Sequence, residues 1–414
     1  MNAIVSAPQV DFRAVADLGD GLLPRLAEIR EAEPIAWNDS ISGWIVSRYA
    51  DVRDGFDLKV PLSNDRFPPR YFDAIPAAER PTRIPLTLTA QNWIIGVDPP
   101  QHTRLRGMAQ KAFSRKVVEQ LRPYAKEVID RVLSEAGARP EVEFLEDVAV
   151  AITGKVMGRL LGFPEEHLHH LRRWSWDMNV ALGPKRNEQL ILQMEQSLRE
   201  MKAILDVEIE ARRQHPREDF LSELVSAQDA QGKLTNDELL GLCFVTLSAG
   251  HDTTAHSMTL GFRSLVRDPE AQKRLLERPD HIADMVLEIM RFGAMSTTQV
   301  RVAAEDFEWH GKSIRKGDFL YLMIASANRD PRAFKDPEKL DLTRYDDRSS
   351  NRAVVFGGGI HYCIGHLLAN MQLGEFFPEA FRRYPGARVL DENPTWQPSL
   401  VFRGVERLRV SFNG

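Results

Sequence analysis

Phe356 to Gly365 reads FGGGIHYCIG, and it places one of the chain's only two cysteines among four glycines, two residues after His361. Glycine weakens helix and strand alike, so four of them beside one sulfur imply a sharply bent backbone and a close approach. Three chemistries would use such a thiol. A structural zinc site needs further Cys or His ligands at short spacing, and no second pair accompanies His361 and Cys363. A nucleophile needs a base, which His361 could supply. A thiolate ligand to haem iron needs one cysteine, a backbone that lets the ring approach, and N–H groups near the sulfur. The plain alternative is a buried, inert thiol. That alternative suits the other cysteine, Cys243, which sits in the apolar run LLGLCFV.

A second segment has the wrong composition for its place. Thr235 followed three residues later by Glu238 forms a capping box, and no proline interrupts the chain until Asp268-Pro269 opens the next helix. The implied helix has about 32 residues and a length of about 48 Å at roughly 1.5 Å per residue. Its middle reads LSAGHDTTAHS, Leu247 to Ser257, where Gly250, Asp252, Thr253 and Thr254 are poor helix formers. Local conflict of this kind is expected at functional sites, and the helix is expected to open near Gly250. A kink packed on small neighbours is the simpler alternative. His251 is assigned no role.

Phe356-Gly357-Gly358-Gly359-Ile360-His361-Tyr362-Cys363-Ile364-Gly365 resembles the haem-binding signature F-G-x-G-x-H-x-C-x-G of soluble bacterial cytochromes P450. Ala249-Gly250-His251-Asp252-Thr253-Thr254 resembles that family's oxygen-activation motif A-G-x-[DE]-T-T, and Glu288-Ile289-Met290-Arg291 resembles its E-x-x-R motif. Asn328-Arg329-Asp330-Pro331, with Phe334 and Arg344, resembles the segment that completes a Glu-Arg-Arg cluster. Asp98 to Arg106 resembles the start of the helix that contacts the haem. The likeness runs over roughly residues 10 to 412.

The resemblance implies a mainly α fold with a minor β region, a helical bundle around a haem with small β-sheets at one side, formed as a single domain over residues 1–414. It implies haem b (iron protoporphyrin IX) with Cys363 as the iron's thiolate ligand. His102, Arg106, Arg301 and His361 would meet the propionates, and Ala249, Phe356, Gly357 and Gly365 would lie against the ring. Glu288, Arg291 and Arg344 would form a buried, structural ion-pair cluster that holds the cysteine loop. Asp252 and Thr253 would deliver the two protons that reductive splitting of dioxygen consumes. The substrate pocket would draw on Ile94, Ile95, Thr246, Leu247, Ala294, Met295, Thr298, Val401 and Phe402. Such a lining, apolar with a few hydroxyls, suits a small aromatic or terpenoid-like substrate. Arg83 could greet a substrate carboxylate, although a solvated role is the simpler expectation.

The implied activity is a monooxygenase reaction, hydroxylation or oxidative demethylation. Electrons would come from a separate acidic ferredoxin and an NAD(P)H-dependent reductase. The alternatives are a peroxide-driven peroxygenase of the same fold, or a haem sensor without oxygen chemistry. Neither calls for the Asp252-Thr253 pair. Arg104, Arg106, Lys111, Arg115 and Lys116 lie in a segment without acids, and with Arg348 and Arg352 they are expected to form a basic docking patch for that ferredoxin. Two departures from the family pattern stand out. The helix after Cys363 carries Asn370 and Gln372 where the family often reads A-R-x-E, and no proline follows Arg291.

The elements that must position these residues are mostly helical. Helical periodicity dominates from 102 to about 295. A small hairpin is expected across PIAWNDS and SGWIVSRYADV, and strands at TTQVRVA, DFLYLMIASA, RAVVF, PSLVFRG and ERLRVSF. Residues 59–100 are proline-rich and aperiodic, the composition of a long loop such as a lid. The chain has 414 residues, is 43% hydrophobic and carries a net charge of −5, which gives no support for nucleic-acid binding. Two cysteines make no disulfide framework, and the N-terminus lacks a basic leader, so a cytoplasmic, monomeric protein without a membrane anchor is expected.

Overall fold

The computed structural model describes residues 7–65, 76, 78–79, 92–181, 188–229, 234–347 and 349–413. Arg83, Arg348 and most of the proline-rich loop lie outside the described residues. The main helices, in chain order, are α1 (Leu22–Ala32), α2 (Tyr49–Phe56), α3 (Gln101–Ala112), α4 (Arg115–Gly137), α5 (Ala151–Leu161) and α6 (Leu171–Ala181). They continue with α7 (Glu188–Gln214), α8 (Phe220–Asp229), α9 (Asn236–Val266), α10 (Pro269–Glu277), α11 (Ile282–Gly293) and α12 (His366–Arg383). The strands are β1 (Ile35–Asn38), β2 (Gly43–Val46), β3 (Leu62–Ser63), β4 (Val142–Glu143), β5 (Gln299–Ala303), β6 (Phe307–Trp309), β7 (Lys312–Ile314), β8 (Phe319–Leu322), β9 (Arg388–Val389) and β10 (Arg409–Ser411). Among the described residues no helix is long and apolar enough to cross a membrane.

Two compact units emerge. The first comprises Met1–Ser63, Ile129–Ala149 and Thr253–Gly414. Its main sheet has the order β1-β2-β8-β5-β3, with β2 and β8 parallel and the other neighbours antiparallel. Side chains alternate along a strand, so each strand feeds two cores. Ile45 and Tyr321 join Leu26, Ile29 and Phe12, while Val46, Leu320 and Leu322 join Val52, Phe56 and Phe334. A separate aromatic stack fixes the C-terminal half of α9, with Phe262 4.4 Å from Phe144 and 5.2 Å from Phe381.

The second unit comprises Asn64–Val128 and Val150–Asp252. Here α6 packs on α7, where Trp174 Nε1 donates to Glu200 at 2.9 Å and Arg173 pairs with the same carboxylate. Arg212 of α7 is fully buried and bonds Asp219 and the carbonyl of Gly162, the left-handed cap of α5. A Cβ at Gly162 would lie 2.1 Å from Asp219, so only glycine fits there.

The expected hairpin is β1–β2, and TTQVRVA and ERLRVSF contain β5 and β10. Three expectations fail in part or whole. DFLYLMIASA ends as strand at Leu322 and turns into the short helix Ile324–Ala327. RAVVF is irregular, because Val354 N–H donates to the side chain of Asn328 rather than to a neighbouring strand. PSLVFRG holds one isolated bridge and no strand, Ser296 with Phe402, and a second bridge, Trp396 with Val405, flanks it. The hairpin β6–β7 was not anticipated. Its signal is present as the alternation of Phe307-Glu308-Trp309 before His310-Gly311, whose φ angles of 48° and 73° make a two-residue turn.

Candidate functional site

The cysteine loop is built from backbone bonds. Gly357 N–H donates to the carbonyl of Val354 at 2.9 Å, and Cys363 N–H to that of Phe356 at 2.9 Å. Gly357 and Gly359 have φ of +72° and +60°, a region open to glycine at little cost. A Cβ on Gly359 would lie 2.0 Å from the carbonyl oxygen of Phe56, and one on Gly358 would lie 2.9 Å from Phe56 Cβ. These two glycines therefore admit the end of α2. Phe356 is buried edge-on to Tyr362 and His366. Cys363 is half-buried, and Gly365 caps the 18-residue helix α12. The amino end of that helix begins three residues beyond Cys363. Cys243, by contrast, is buried in α9, and burial alone pushes its thiol up to about 12.

Behind the loop lies a closed ion-pair cluster. Glu288 and Arg291 are one turn apart on α11 and wholly buried. Arg291 Nε donates to Glu288 Oε2 at 2.7 Å and Nη2 to Oε1 at 2.9 Å, while Arg344 Nε reaches Oε2 at 3.0 Å. The remaining donors serve backbone carbonyls: Arg291 bonds Asn328, Pro337 and Lys339, and Arg344 bonds Lys335, Asp336 and Lys339. Asn328 forwards the connection, since its Oδ1 accepts from Val354 N–H at 2.8 Å. Sequence reasoning missed Asn328 as this link. Nothing but its place in the N-R-D-P segment could have shown it.

The long helix α9 is 31 residues, begins on the expected capping box and stays α-helical throughout. The opening expected at Gly250 does not occur. Gly250 instead accommodates Met157 of α5, whose methyl would lie 2.5 Å from a Cβ there. Beyond the motif, buried hydroxyls bond carbonyls four residues back, Ser257 to Thr253 at 2.8 Å and Thr259 to Ala255 at 2.9 Å. Asp252 and Thr254 are buried, Thr253 is half-buried, and Ala249 is exposed although residues 241–248 are all buried. The motif thus carries an opening, at Ala249 and in part at Gly250 and Thr253, directly after eight buried positions.

The cytochrome P450 family profile matches residues 184–388. The 6-deoxyerythronolide B hydroxylase of Saccharopolyspora erythraea is 32% identical over 94% of this chain and 95% of its own. This chain belongs to the cytochrome P450 family. The vitamin D(3) 25-hydroxylase of Pseudonocardia autotrophica is 30% identical over 94% of this chain and 93% of its own. The crystal structure of P450BioI with an acyl carrier protein ligated to hexadec-9Z-enoic acid superposes with a TM-score of 0.85, at 26% identity, covering 96% of this chain and all of that one. The protein is therefore a monooxygenase of mainly α architecture that binds haem b through a cysteine thiolate.

The residues of this P450 suit such a group. In the second unit, His102 and Arg106 are successive turns of α3. His102 is buried, and burial followed by the charge of Arg106 pushes its pKa below the ordinary histidine value. An anionic carboxylate is the partner that would relieve both. In the first unit Arg301 is a buried guanidinium that bonds the carbonyl of Val300 and Gln299 Oε1 and lies over the ring of Phe56. His361 is half-buried at the head of the cysteine loop.

The lining residues divide likewise. Ile94, Thr246 and Leu247 are buried and Ile95 is exposed. Ala294 and Met295 are buried, Val401 and Phe402 half-buried, and the two segments are stitched by Thr297 and Thr298 N–H to the Val401 carbonyl. Thr298 departs from expectation. It is wholly buried and its hydroxyl donates to the Leu322 carbonyl at 3.0 Å, so it offers a ligand no hydroxyl. The basic segment is also reduced. Arg104 pairs with Glu238, and Arg352 pairs with Asp284 at 2.6 Å and lies over Tyr345. Lys111, Arg115 and Lys116 remain exposed. In α12, Asn370 is half-buried and Gln372 is wholly buried, with no hydrogen-bond partner to either polar atom of the Gln372 amide.

Proposed function

We propose that this P450 inserts one oxygen atom of dioxygen into a small hydrophobic substrate, aromatic or terpenoid-like, by hydroxylation or oxidative demethylation. The observation that carries the reading is Cys363, half-buried at the end of a loop fixed by its own backbone and anchored through Asn328 to a buried ion-pair cluster. Haem, when bound, supplies the activation of dioxygen. Cys363 gives it a thiolate ligand, while His102, Arg106, Arg301 and His361 hold its carboxylates. Ala249, Phe356, Gly357 and Gly365 bound the ring. Asp252 carries a carboxylate and Thr253 a hydroxyl in the motif of α9 that is open at Ala249, where they hold water and pass protons. Glu288, Arg291 and Arg344 act on the fold and not on substrate.

The relatives are named for substrates as different as 6-deoxyerythronolide B and vitamin D(3), so the substrate reading rests on this chain's own lining. Ile94, Ile95, Leu247, Ala294, Met295, Val401 and Phe402 offer apolar surface, and with Thr298 turned away Thr246 is the remaining hydroxyl among these positions. Electrons come from a separate acidic ferredoxin and its NAD(P)H-dependent reductase in the cytoplasm. The exposed Lys111, Arg115 and Lys116 supply complementary charge, which speeds encounter and is screened by salt.

Two measurements test this. Small aromatic acids, phenols and terpenoids are titrated against the haem-loaded protein, and a spin-state shift is expected from at least one of these classes. Shifts confined to macrolides or long-chain fatty acids would refute the substrate class. Thr253→Ala should keep substrate binding and reduction yet divert NAD(P)H electrons to peroxide. Unchanged coupling would remove Thr253 from proton delivery and favour a peroxide-driven enzyme.

A further inference from the structure

Arg403 follows Phe402 in the C-terminal hairpin that the Trp396–Val405 bridge closes, and it is almost wholly buried. Its Nη2 donates to Asp20 Oδ1 at 2.7 Å, its Nη1 to the Gly293 carbonyl at 3.3 Å, and its guanidinium lies 3.7 Å from the centre of the Trp396 ring. Its backbone N–H donates to the Met295 carbonyl at 2.6 Å. Arg263 of α9 grips the same carboxylate with both ends of its fork, at 3.1 and 2.7 Å. One carboxylate, brought by the turn Gly19–Gly21, therefore joins two buried arginines.

The charges are under tension. Burial pushes the Arg403 guanidinium down to about 10. Burial acts to raise the Asp20 carboxyl, but pairing with Arg263 and Arg403 outweighs it and the net shift is downward. The turn can reach this place because Gly19 has φ +52° and no side chain, and a Cβ there would lie 2.9 Å from the Trp396 indole. Arg329 donates to the Phe292 carbonyl at 2.8 Å, so the last two carbonyls of α11, Phe292 and Gly293, each receive a buried guanidinium. Without Asp20, Arg403 and Arg263 would face each other unneutralised. Arg403 is bonded to the facing segment at both ends, its guanidinium to the Gly293 carbonyl and its backbone N–H to that of Met295, so repulsion from Arg263 would load the bonds between the two segments.

We propose that Asp20 is a positioning residue for substrate selectivity: by neutralising Arg403 against Arg263 it holds the hairpin tip, Val401 and Phe402, in register with Ala294–Thr298. Asp20 acts through Arg403 and touches no substrate. The inference rests on the reading of Val401 and Phe402 as pocket lining.

The test uses the full, haem-loaded chain and two optical probes, imidazole and 4-phenylimidazole. Imidazole is small enough to report the iron alone, whereas the phenyl group reaches the lining. Asp20→Asn, close in shape at a half-exposed position, should weaken 4-phenylimidazole relative to imidazole by roughly 3- to 10-fold, a free-energy change of about 1 kcal/mol. Asp20→Glu should restore most of that ratio, and neither variant should disturb the thiolate-type Soret band of the reduced carbon monoxide complex. Phe402→Ala reads the lining directly and should move the same ratio. A shift in Phe402→Ala with none in Asp20→Asn overturns the positioning role and leaves the lining reading standing. No shift in Phe402→Ala ends the lining reading and the proposal with it. Loss of haem or of the Soret band in Asp20→Asn, or no recovery in Asp20→Glu, makes Asp20 a residue of the fold and overturns the proposal.

Discussion

Cys243 and Cys363 are the same thiol in two environments, and the environments differ in what surrounds the sulfur. Along its helix Cys243 is flanked by Leu239, Leu242, Phe244 and Leu247, all buried. Such packing keeps the proton on the sulfur, at about 12. Around Cys363 there are glycines, a backbone bond to Phe356, the amino end of α12, and an ion-pair cluster one residue-chain removed. A sulfur becomes chemically useful here through backbone dipoles and a rigid seat, and the expense of that seat falls on residues far from the sulfur.

The sharpest way to break the comparison is to exchange the two fates. Cys363→Ser should abolish the thiolate-type Soret band and cut turnover by well over the roughly 100-fold typical of losing an outer-shell partner. Cys243→Ser should keep both. A band that survives the first change and disappears in the second inverts the assignment.

Next in size is the seat itself. Glu288→Ala strands Arg291 and Arg344 as buried charges, a loss of about 3–5 kcal/mol, and little haem-loaded protein should accumulate. A normal melting temperature and haem content would show that the loop stands without the cluster. Gly359→Ala forces an L-residue into φ +60° and pushes a methyl against the Phe56 carbonyl, at a cost of about 2–4 kcal/mol. Denaturant titration of the variant measures it, and a cost below about 1 kcal/mol would mean the loop has slack.

The smallest effect concerns Cys243 alone. Its folded pKa lies above the unfolded value, so the buried neutral thiol stabilises the fold fully below about pH 9 and loses that contribution as pH rises toward about 12. Cys243→Ala should therefore cost about 1 kcal/mol at pH 7, with a gap to the parent that narrows above pH 9. In haem-free but folded protein, iodoacetamide at pH 8 should label Cys363 and spare Cys243. Equal labelling would erase the distinction between the two sites.

The supports of the site were legible where residues carry type and spacing together. The capping box at Thr235 and Glu238 forms as read, and Glu288, Arg291 and Arg344 meet in one buried cluster. What was not legible depends on which neighbour a small residue faces. Gly358 and Gly359 admit Phe56, and Gly250 admits Met157, partners distant in sequence. The hydroxyl of Thr298 turns to Leu322, a choice made by the pairing of β5 with β8 and not by local pattern. RAVVF has strand composition, but its backbone is drawn to Asn328. The hairpin at His310-Gly311 was readable and missed, since its turn chemistry is local.

Glu238 has two duties: it closes the capping box at the start of α9 through Thr235 N–H, and it receives Arg104 from α3. Lineages that carry this pair face a one-way street. A chain that drifts away from Arg104 loses an ion pair whose arginine side is half-exposed and keeps its helix cap. A chain that drifts away from Glu238 first loses the ion pair and the reciprocal half of the capping box together, and keeps only the Thr235 hydroxyl on the residue-238 N–H. A charge swap between the two positions would restore the attraction and still leave the Thr235 N–H without its carboxylate, so the order in which these positions can change is fixed by which of the two side chains also answers to the backbone.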